Sequence, residues 1–213
     1  MLLRIFAHMT LNRWLWVVLL AFSQPIFAQE IQKNASPQQI APPTFFNDAF
    51  KGGEWFKFRI HYGIFNASFA TIEVNETTWE GKPVFHAKGV GRTTGLARWF
   101  FKVDDYYDSY FTKDAVRPLF FIRNINEGGY KKHINIRFDH DKNEVFVDDK
   151  HQNKQSSFET VPNVQDLISC FYFLRNEFDV SDIKKDEYVM VNLFFDESNY
   201  AFKFKFLGTE TIK

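Results

Sequence analysis

Apolar and polar side chains alternate along most of this chain, and this period of two is the feature that most restricts its fold. In segment 54–62 four apolar residues fall on one face and three basic residues on the other. The apolar four are Phe56, Phe58, Ile60 and Tyr62. Successive side chains of a β-strand point to opposite faces, so the pattern predicts a strand with one buried face.

The alternation recurs between short turn-like segments at 80–83, 127–129 and 139–143, which is typical of antiparallel strands joined by hairpins. The further predicted strands are 70–74, 84–90, 105–111, 119–125, 130–138, 144–147, 188–195 and 200–207.

Segment 164–176 breaks the alternation, because it is apolar on nearly all sides. Asp166 stands near its start and Arg175 near its end, where the dipole of a helix favours each charge. We therefore predict a mainly β fold, with a curved antiparallel sheet, half-barrel or sandwich and one buried helix packed on it.

The composition agrees with such a fold and excludes one class of partner. Phenylalanine alone supplies 27 of the 213 residues, and it favours strands and large aromatic cores. Lys plus Arg and Asp plus Glu number 26 each, so the chain lacks the excess of positive charge that nucleic-acid binding requires. Cys170 is the only cysteine, which excludes a disulfide within the chain.

The first 28 residues read as a signal peptide. Arg4 and Arg13 supply a basic start, segment 14–22 is apolar, and Ala28 offers a small residue at the cleavage position. This apolar run is far shorter than the roughly 20 residues that span a bilayer, and we predict no transmembrane segment in the mature chain. The expected location is the periplasm or the extracellular space.

These features divide the chain into three regions. We predict a signal peptide over 1–28, a polar, proline-containing linker over 29–51 and one β-rich domain over 52–213. The last residues look like the start of a further strand. Because such an edge would expose unpaired backbone groups, we expect a domain truncated at its C-terminus.

A series of short motifs, individually weak but specific in their order and spacing, runs from residue 53 to residue 175. They are Gly53-Glu54, Tyr62-Gly63, Asn66-Ala67, Gly91-Arg92-Thr93, Asp105, Tyr107, Ser109-Tyr110, Pro118, Phe121, Arg123, Glu127-Gly128-Gly129-Tyr130, Asp166-Leu167-Ile168-Ser169, Phe171-Tyr172 and Leu174-Arg175. In these the chain resembles the DUF3108 family of exported bacterial proteins. The resemblance implies a curved, mostly antiparallel sheet, similar to the half-barrels of periplasmic lipoprotein carriers. It implies no reaction.

Four bulky apolar residues close together form the first candidate site. They are Leu96, Trp99, Phe100 and Phe101, in a segment predicted as an irregular loop. They either plug the open end of the curved sheet or line a mouth through which an apolar ligand enters, since exposed apolar patches tend to mark binding sites.

A second candidate site is polar. Asp105 and Glu127 are expected to pair with Arg92 or Arg123 and close the polar side of the sheet. The alternative is that Asp104, Asp105 or Asp108 forms, with Glu127, a carboxylate pair for acid and base catalysis.

Neither a nucleophile nor a metal site is predicted. Cys170 lies in an apolar helix without the positive surroundings that activate a thiol, which indicates a core cysteine. His61, His86 and His133 lie on predicted strands, but no short-spaced pair begins a zinc site. We assign no catalytic residue, no metal and no cofactor.

Three functions stay open on the sequence alone. The first is a non-enzymatic periplasmic or envelope protein that binds an apolar small molecule or a lipid. The second is a structural module that docks on another envelope protein through a sheet edge. The third, a hydrolase of envelope polymers, requires Asp105, Glu127 and a histidine to meet in one cleft.

Overall fold

Ten strands and two helices make up the part of the chain that the computed structural model describes, residues 49–62, 65–177 and 183–209. The strands are β1 Glu54–Tyr62, β2 Phe65–Trp79, β3 Lys82–Thr93, β4 Asp104–Thr112, β5 Pro118–Glu127, β6 Tyr130–Asp139, β7 Glu144–Asp149, β8 Lys154–Glu159, β9 Tyr188–Phe195 and β10 Ser198–Lys205. The helices are α1 Gly95–Phe100 and α2 Ser169–Glu177. The predicted signal peptide and nearly all of the predicted linker lie outside the described residues.

Strands β1 to β8 form one antiparallel sheet in which spatial order follows chain order, and the sheet stays open. Tight turns explain this order, since two-residue connections join β2 to β3 and β5 to β6. Both residues of each turn have positive φ, 49° and 79° at Glu80 and Gly81, and 57° and 96° at Gly128 and Gly129. Such turns match the right-handed twist of paired strands.

One face of this sheet carries the hydrophobic core. Its buried side chains include Val74, Phe85, Phe111, Phe121, Ile134, Ile136, Val145 and Val147. Helix α2 and strand β9 lie over this inner face, because Tyr172, Phe173, Leu193 and Phe194 belong to the same buried cluster. Strand β9 pairs with β10 as a separate hairpin. The opposite, outer face of the sheet is more polar and more exposed.

Close contacts attach α2 to the inner face. A Cβ atom at Gly89 in β3 would lie 2.8 Å from Cδ1 of Ile168, so the glycine makes room for the residue before the helix. At the other end of α2, the guanidinium of Arg175 donates to the carboxylate of Glu54 and, at 2.9 Å, to the carbonyl oxygen of Ala49. The helix is thereby tied to the first strand.

The predictions of a mainly β fold, an antiparallel sheet and one buried helix are confirmed. The helix begins at Ser169 rather than at 164, because the preceding backbone pairs with β9 instead. The Gln165 N–H donates to the Asn192 oxygen at 2.8 Å, and the Phe194 N–H donates to the Gln165 oxygen at 2.9 Å. Helix α1 and strand β8 were not predicted.

The folded part also extends further toward the N-terminus than predicted. Phe50, which we assigned to the linker, is buried, and its ring centre lies 4.7 Å from that of Tyr172 and 5.0 Å from that of Phe85. The proline-containing sequence before Phe50 favoured a linker, so this core position was not predicted. Within the described residues, no helix has the length and apolar character needed to cross a membrane.

Candidate functional site

Helix α1 presents the most exposed group of large apolar side chains on the described surface. Leu96 is 65%, Trp99 80% and Phe100 72% exposed. The rings of Trp99 and Phe100 contact each other edge to face, with centres 4.9 Å apart. Large apolar side chains grouped and exposed in this way are uncommon on protein surfaces and often mark binding sites. We call Leu96, Trp99 and Phe100 the apolar corner.

The apolar corner is held by contacts from both ends of α1. The N–H of Thr94 donates to the Ala67 oxygen at 3.0 Å, which ties the start of the helix to β2. Arg98 donates through both terminal nitrogens to the carboxylate of Asp104, each at 2.9 Å. This pairing raises the pKa of Arg98 and lowers the pKa of Asp104. A six-residue helix is marginal alone, so these contacts define its position.

Phe101, just after α1, behaves differently from its neighbours. It is only partly exposed and its ring lies against Gly128 in the turn between β5 and β6. Of the two roles left open for these residues, a plug does not fit Leu96, Trp99 and Phe100, which are exposed, whereas Phe101 packs on the sheet. The binding role of these four residues stays a prediction.

The predicted polar site contains an acidic pair. Asp105 is buried on the inner face of β4, and it accepts a hydrogen bond from the backbone N–H of Asn126 at 3.1 Å. The pKa of Asp105 is raised to about 6, first by burial and also by the neighbouring carboxylate of Glu127, against the opposing effects of the Asn126 N–H and Arg123. The two acids thus share one site and disfavour double ionisation.

Among the described residues neither acid forms a direct ion pair with Arg92 or Arg123, although Arg123 lies near enough to Asp105 to lower its pKa. Arg123 donates to Asp196, at the turn after β9, and the ammonium of Lys132 lies 2.9 Å from the same carboxylate. Arg92 instead donates to the hydroxyl of Tyr106 at 2.5 Å and approaches Asp104 at 3.9 Å. Asp196 lies 73 positions after Arg123, so no local pattern could reveal the partner.

A second buried carboxylate has a structural role. Asp166 accepts hydrogen bonds from the N–H groups of Ile168 at 2.8 Å and Ser169 at 2.7 Å, and from the Ser109 hydroxyl at 2.6 Å. It therefore joins the start of α2 to strand β4. Burial raises its pKa to about 6, although these hydrogen bonds act in the opposite direction.

Cys170 follows in the same helix and is buried. Burial, and then the charge of Asp166, raise the pKa of its thiol to about 12. A thiol in this environment does not ionise at neutral pH, so it is not an activated nucleophile. The prediction of a core cysteine is confirmed.

The two candidate histidines whose side chains are described, His86 and His133, lie apart. His86 on β3 lies 2.8 Å from the carboxylate of Asp108 and stacks on Tyr110, with ring centres 4.1 Å apart. His133 on β6 lies opposite Asn124 of β5, elsewhere on the outer face. The side chain of His61 lies outside the described ones. Within the described residues no three His, Cys, Asp or Glu side chains are grouped to hold a metal ion.

A cleft that the sequence analysis missed lies on the outer face of β4, β5 and β6. Its volume is about 330 Å³, and its lining includes Tyr106, Asn124 and His133. These three residues are paired across the strands, Tyr106 opposite Asn124 and Asn124 opposite His133. Strand registry alone brings them together, and only a correct alignment of three predicted strands could have revealed the cleft.

The motifs noted in the sequence now have a structural context, since most of them lie in the sheet or at the start of α2. A family model described as "Protein of unknown function (DUF3108)" matches residues 57–213. The chain belongs to the DUF3108 family. The match includes α1, the acidic pair and the outer cleft of this DUF3108 domain. No curated protein and no solved structure matches the chain.

Proposed function

We propose that this DUF3108 protein is a non-enzymatic component of the cell envelope that binds lipid through the apolar corner of α1. The observation that carries the proposal is the exposure of Leu96, Trp99 and Phe100 on one short helix. Placing such side chains in the interfacial layer of a membrane removes apolar surface from water, at about 25 cal/mol per Å².

Charge around the corner favours an anionic lipid surface. Arg92 precedes α1 and Lys102 follows it, with side chains 53% and 58% exposed. Arg98 lies within the helix, and Asp104 is the acid that these three cations approach. The corner therefore carries a positive excess, and basic groups beside apolar ones are typical of segments that bind anionic membranes.

The packing of the inner face favours a ligand site on the surface of the protein rather than inside the fold. The space over this face is occupied by α2, β9 and their buried side chains, including Tyr172 and Phe194. A ligand would therefore meet the protein at α1, on its surface. This differs from a half-barrel carrier, in which the ligand occupies the hollow of the sheet.

A vesicle-binding experiment tests the proposal. Mature protein is mixed with vesicles of phosphatidylglycerol and phosphatidylethanolamine, and the bound fraction is measured by flotation. We expect Trp99→Ser with Phe100→Ser to weaken binding at least about tenfold, because two interfacial aromatic side chains are lost. Trp55→Ser is the matched control, since Trp55 is 65% exposed on the first strand. Absence of vesicle binding, or equal losses in both variants, would contradict the proposal.

A sheet edge favours one alternative, docking on an envelope protein. β1 and β8 are the outer strands of an open sheet, and each has a neighbour on one side within the described residues. An added strand from a partner could pair with such an edge. Cross-linking from a residue in β8, rather than from α1, would favour this alternative.

The hydrolase alternative has less support. Asp105 and Glu127 do meet, but Asp105 lies on the inner face. His133 is aligned with Tyr106 through Asn124, and therefore lies on the outer face. His133 is thus separated from the two acids by the sheet.

A further inference from the structure

The outer cleft is lined by polar side chains that have no partner among the described residues. Five of the residues that line it are Asn124, Asn126, Lys131, His133 and His151. None of these five side chains has a hydrogen bond or an ion pair among the described residues. Elsewhere on the surface many charged side chains are paired, for example Lys142 with Asp139 at 2.9 Å.

The single acid in the lining is already neutralised. Asp104 accepts both terminal nitrogens of Arg98 at 2.9 Å, and Lys102 lies 3.5 Å from the same carboxylate. Its pKa is lowered by these contacts, first of all by the hydrogen bond from Arg98, so it stays ionised and occupied. The free groups of the cleft are therefore an ammonium, two imidazoles and two amides.

Strand registry fixes most of these groups in two rows. Tyr106, Asn124 and His133 are opposite one another on β4, β5 and β6, and Asn126 is opposite Lys131 nearer the turn. Side chains opposite each other on one face of a sheet have Cβ atoms about 5 Å apart. A ligand that covers both rows would meet the amides and the ammonium together.

His151 is positioned separately by a buried acid. Asp149, at the end of β7, accepts hydrogen bonds from the backbone N–H groups of His151 and Gln152, each at 2.9 Å. The Lys150 N–H donates to the His133 oxygen at 2.8 Å, which holds this turn against β6. The imidazole of His151 thereby lies in the wall of the cleft.

We propose that this cleft binds a small organic anion, with a carboxylate or phosphate group, of about the size of a sugar acid. Its volume of about 330 Å³ lies at the lower end of the range for small-molecule sites. Lys131 supplies the charge, the amide and imidazole N–H groups donate to the anionic oxygens, and the exposed ring of Tyr106 forms a wall for the rest of the molecule. This site is separate from the apolar corner, and its test does not depend on lipid binding.

Titration of the mature protein with glucuronate, inorganic phosphate and neutral glucose tests the proposal, with amide chemical shifts as the readout. We expect saturable shifts at Asn124, Asn126 and His133 with one or both anions. The anion that binds more tightly shows whether the cleft prefers a carboxylate or a phosphate group. Glucose is expected to bind at least about fivefold more weakly, because it lacks the charge that pairs with Lys131.

Two lysine variants separate a defined site from general charge attraction. Lys131→Ala is expected to weaken binding at least about fivefold. Lys82→Ala removes an exposed lysine at the far end of β3 that has no ion-pair partner in the described part of the chain, and it is expected to leave binding unchanged. Asn124→Ala, at another exposed position, is a second cleft variant. Equal effects of both lysine variants, shifts outside the cleft, or equal binding of glucose would overturn the proposal.

Discussion

The ring of Phe101 lies against the backbone of Gly128, and a Cβ atom at position 128 would come within 2.3 Å of a ring carbon. This contact joins the end of α1 to the turn between β5 and β6. The backbone N–H of Gly128 also donates to the Lys102 oxygen at 2.8 Å. The end of helix α1, which carries the apolar corner, is therefore attached to the turn beside the acidic pair.

Gly128→Ala is expected to lower the free energy of unfolding by about 2–3 kcal/mol. The added methyl group would displace Phe101, and the alanine would have to adopt the left-handed backbone conformation of this position. Gly95→Ala is the matched control. Its φ of 55° is close to the 57° of Gly128, but nothing lies within 4 Å of its Cβ position. Urea unfolding measures both. If the two variants lose equal stability, the contact with Phe101 contributes nothing.

Asp105→Asn is expected to stabilise the protein at neutral pH. The pKa of Asp105 is raised to about 6 in the folded state, mainly by burial, so ionisation near neutrality opposes folding. Between about pH 4 and pH 6 the folded state binds the proton more tightly than the unfolded state, and stability falls as the pH rises through this range. Above pH 6 the loss is complete.

We expect a gain of about 1–3 kcal/mol near pH 7.5 for this variant, and a flatter profile between about pH 4 and pH 6. Asp141→Asn, at an exposed turn position, is the control and is expected to change neither. Chemical unfolding at several pH values is the measurement. An Asp105→Asn profile parallel to that of the unmodified protein would show that this carboxylate does not titrate abnormally.

Asp166→Ala is expected to destabilise the fold by about 2–4 kcal/mol, because it leaves buried N–H groups of Ile168 and Ser169 without an acceptor. Asp166→Asn retains an amide oxygen in place of the carboxylate oxygen that accepts both bonds, and is expected to cost less. Thermal unfolding compares the two variants. A larger loss for asparagine than for alanine would argue against this capping role.

Cys170 is expected to resist thiol reagents in the native protein. Its thiol is buried and has a pKa of about 12, which leaves little thiolate to react. Labelling with a maleimide near neutral pH should be roughly a hundredfold or more slower in buffer than in urea, where the thiol is exposed. Because the chain has one cysteine, a single added mass reports the reaction. Rapid native labelling would place the thiol in an accessible environment.

The sequence determined the class of fold because each strand carries its own alternation. The period of two along β1 follows from the steric geometry of a single strand and needs no partner. Likewise, the turn at Gly128 is local, since glycine accepts the positive φ that a two-residue hairpin requires. The apolar run around Cys170 similarly indicated a buried helix.

Other features depended on residues far apart in the chain, and only the tertiary structure decided them. Helix α1 is too short to have its own periodicity, and its position depends on Arg98 meeting Asp104. Strand β8 is polar and lies at an edge, so burial imposes little pattern on it. Arg123 pairs with Asp196 rather than with acids nearer in the sequence, because the β9–β10 hairpin folds back over the sheet. Two charged residues pair when the fold brings them close in space, and the sequence of a single strand does not show which residues will meet.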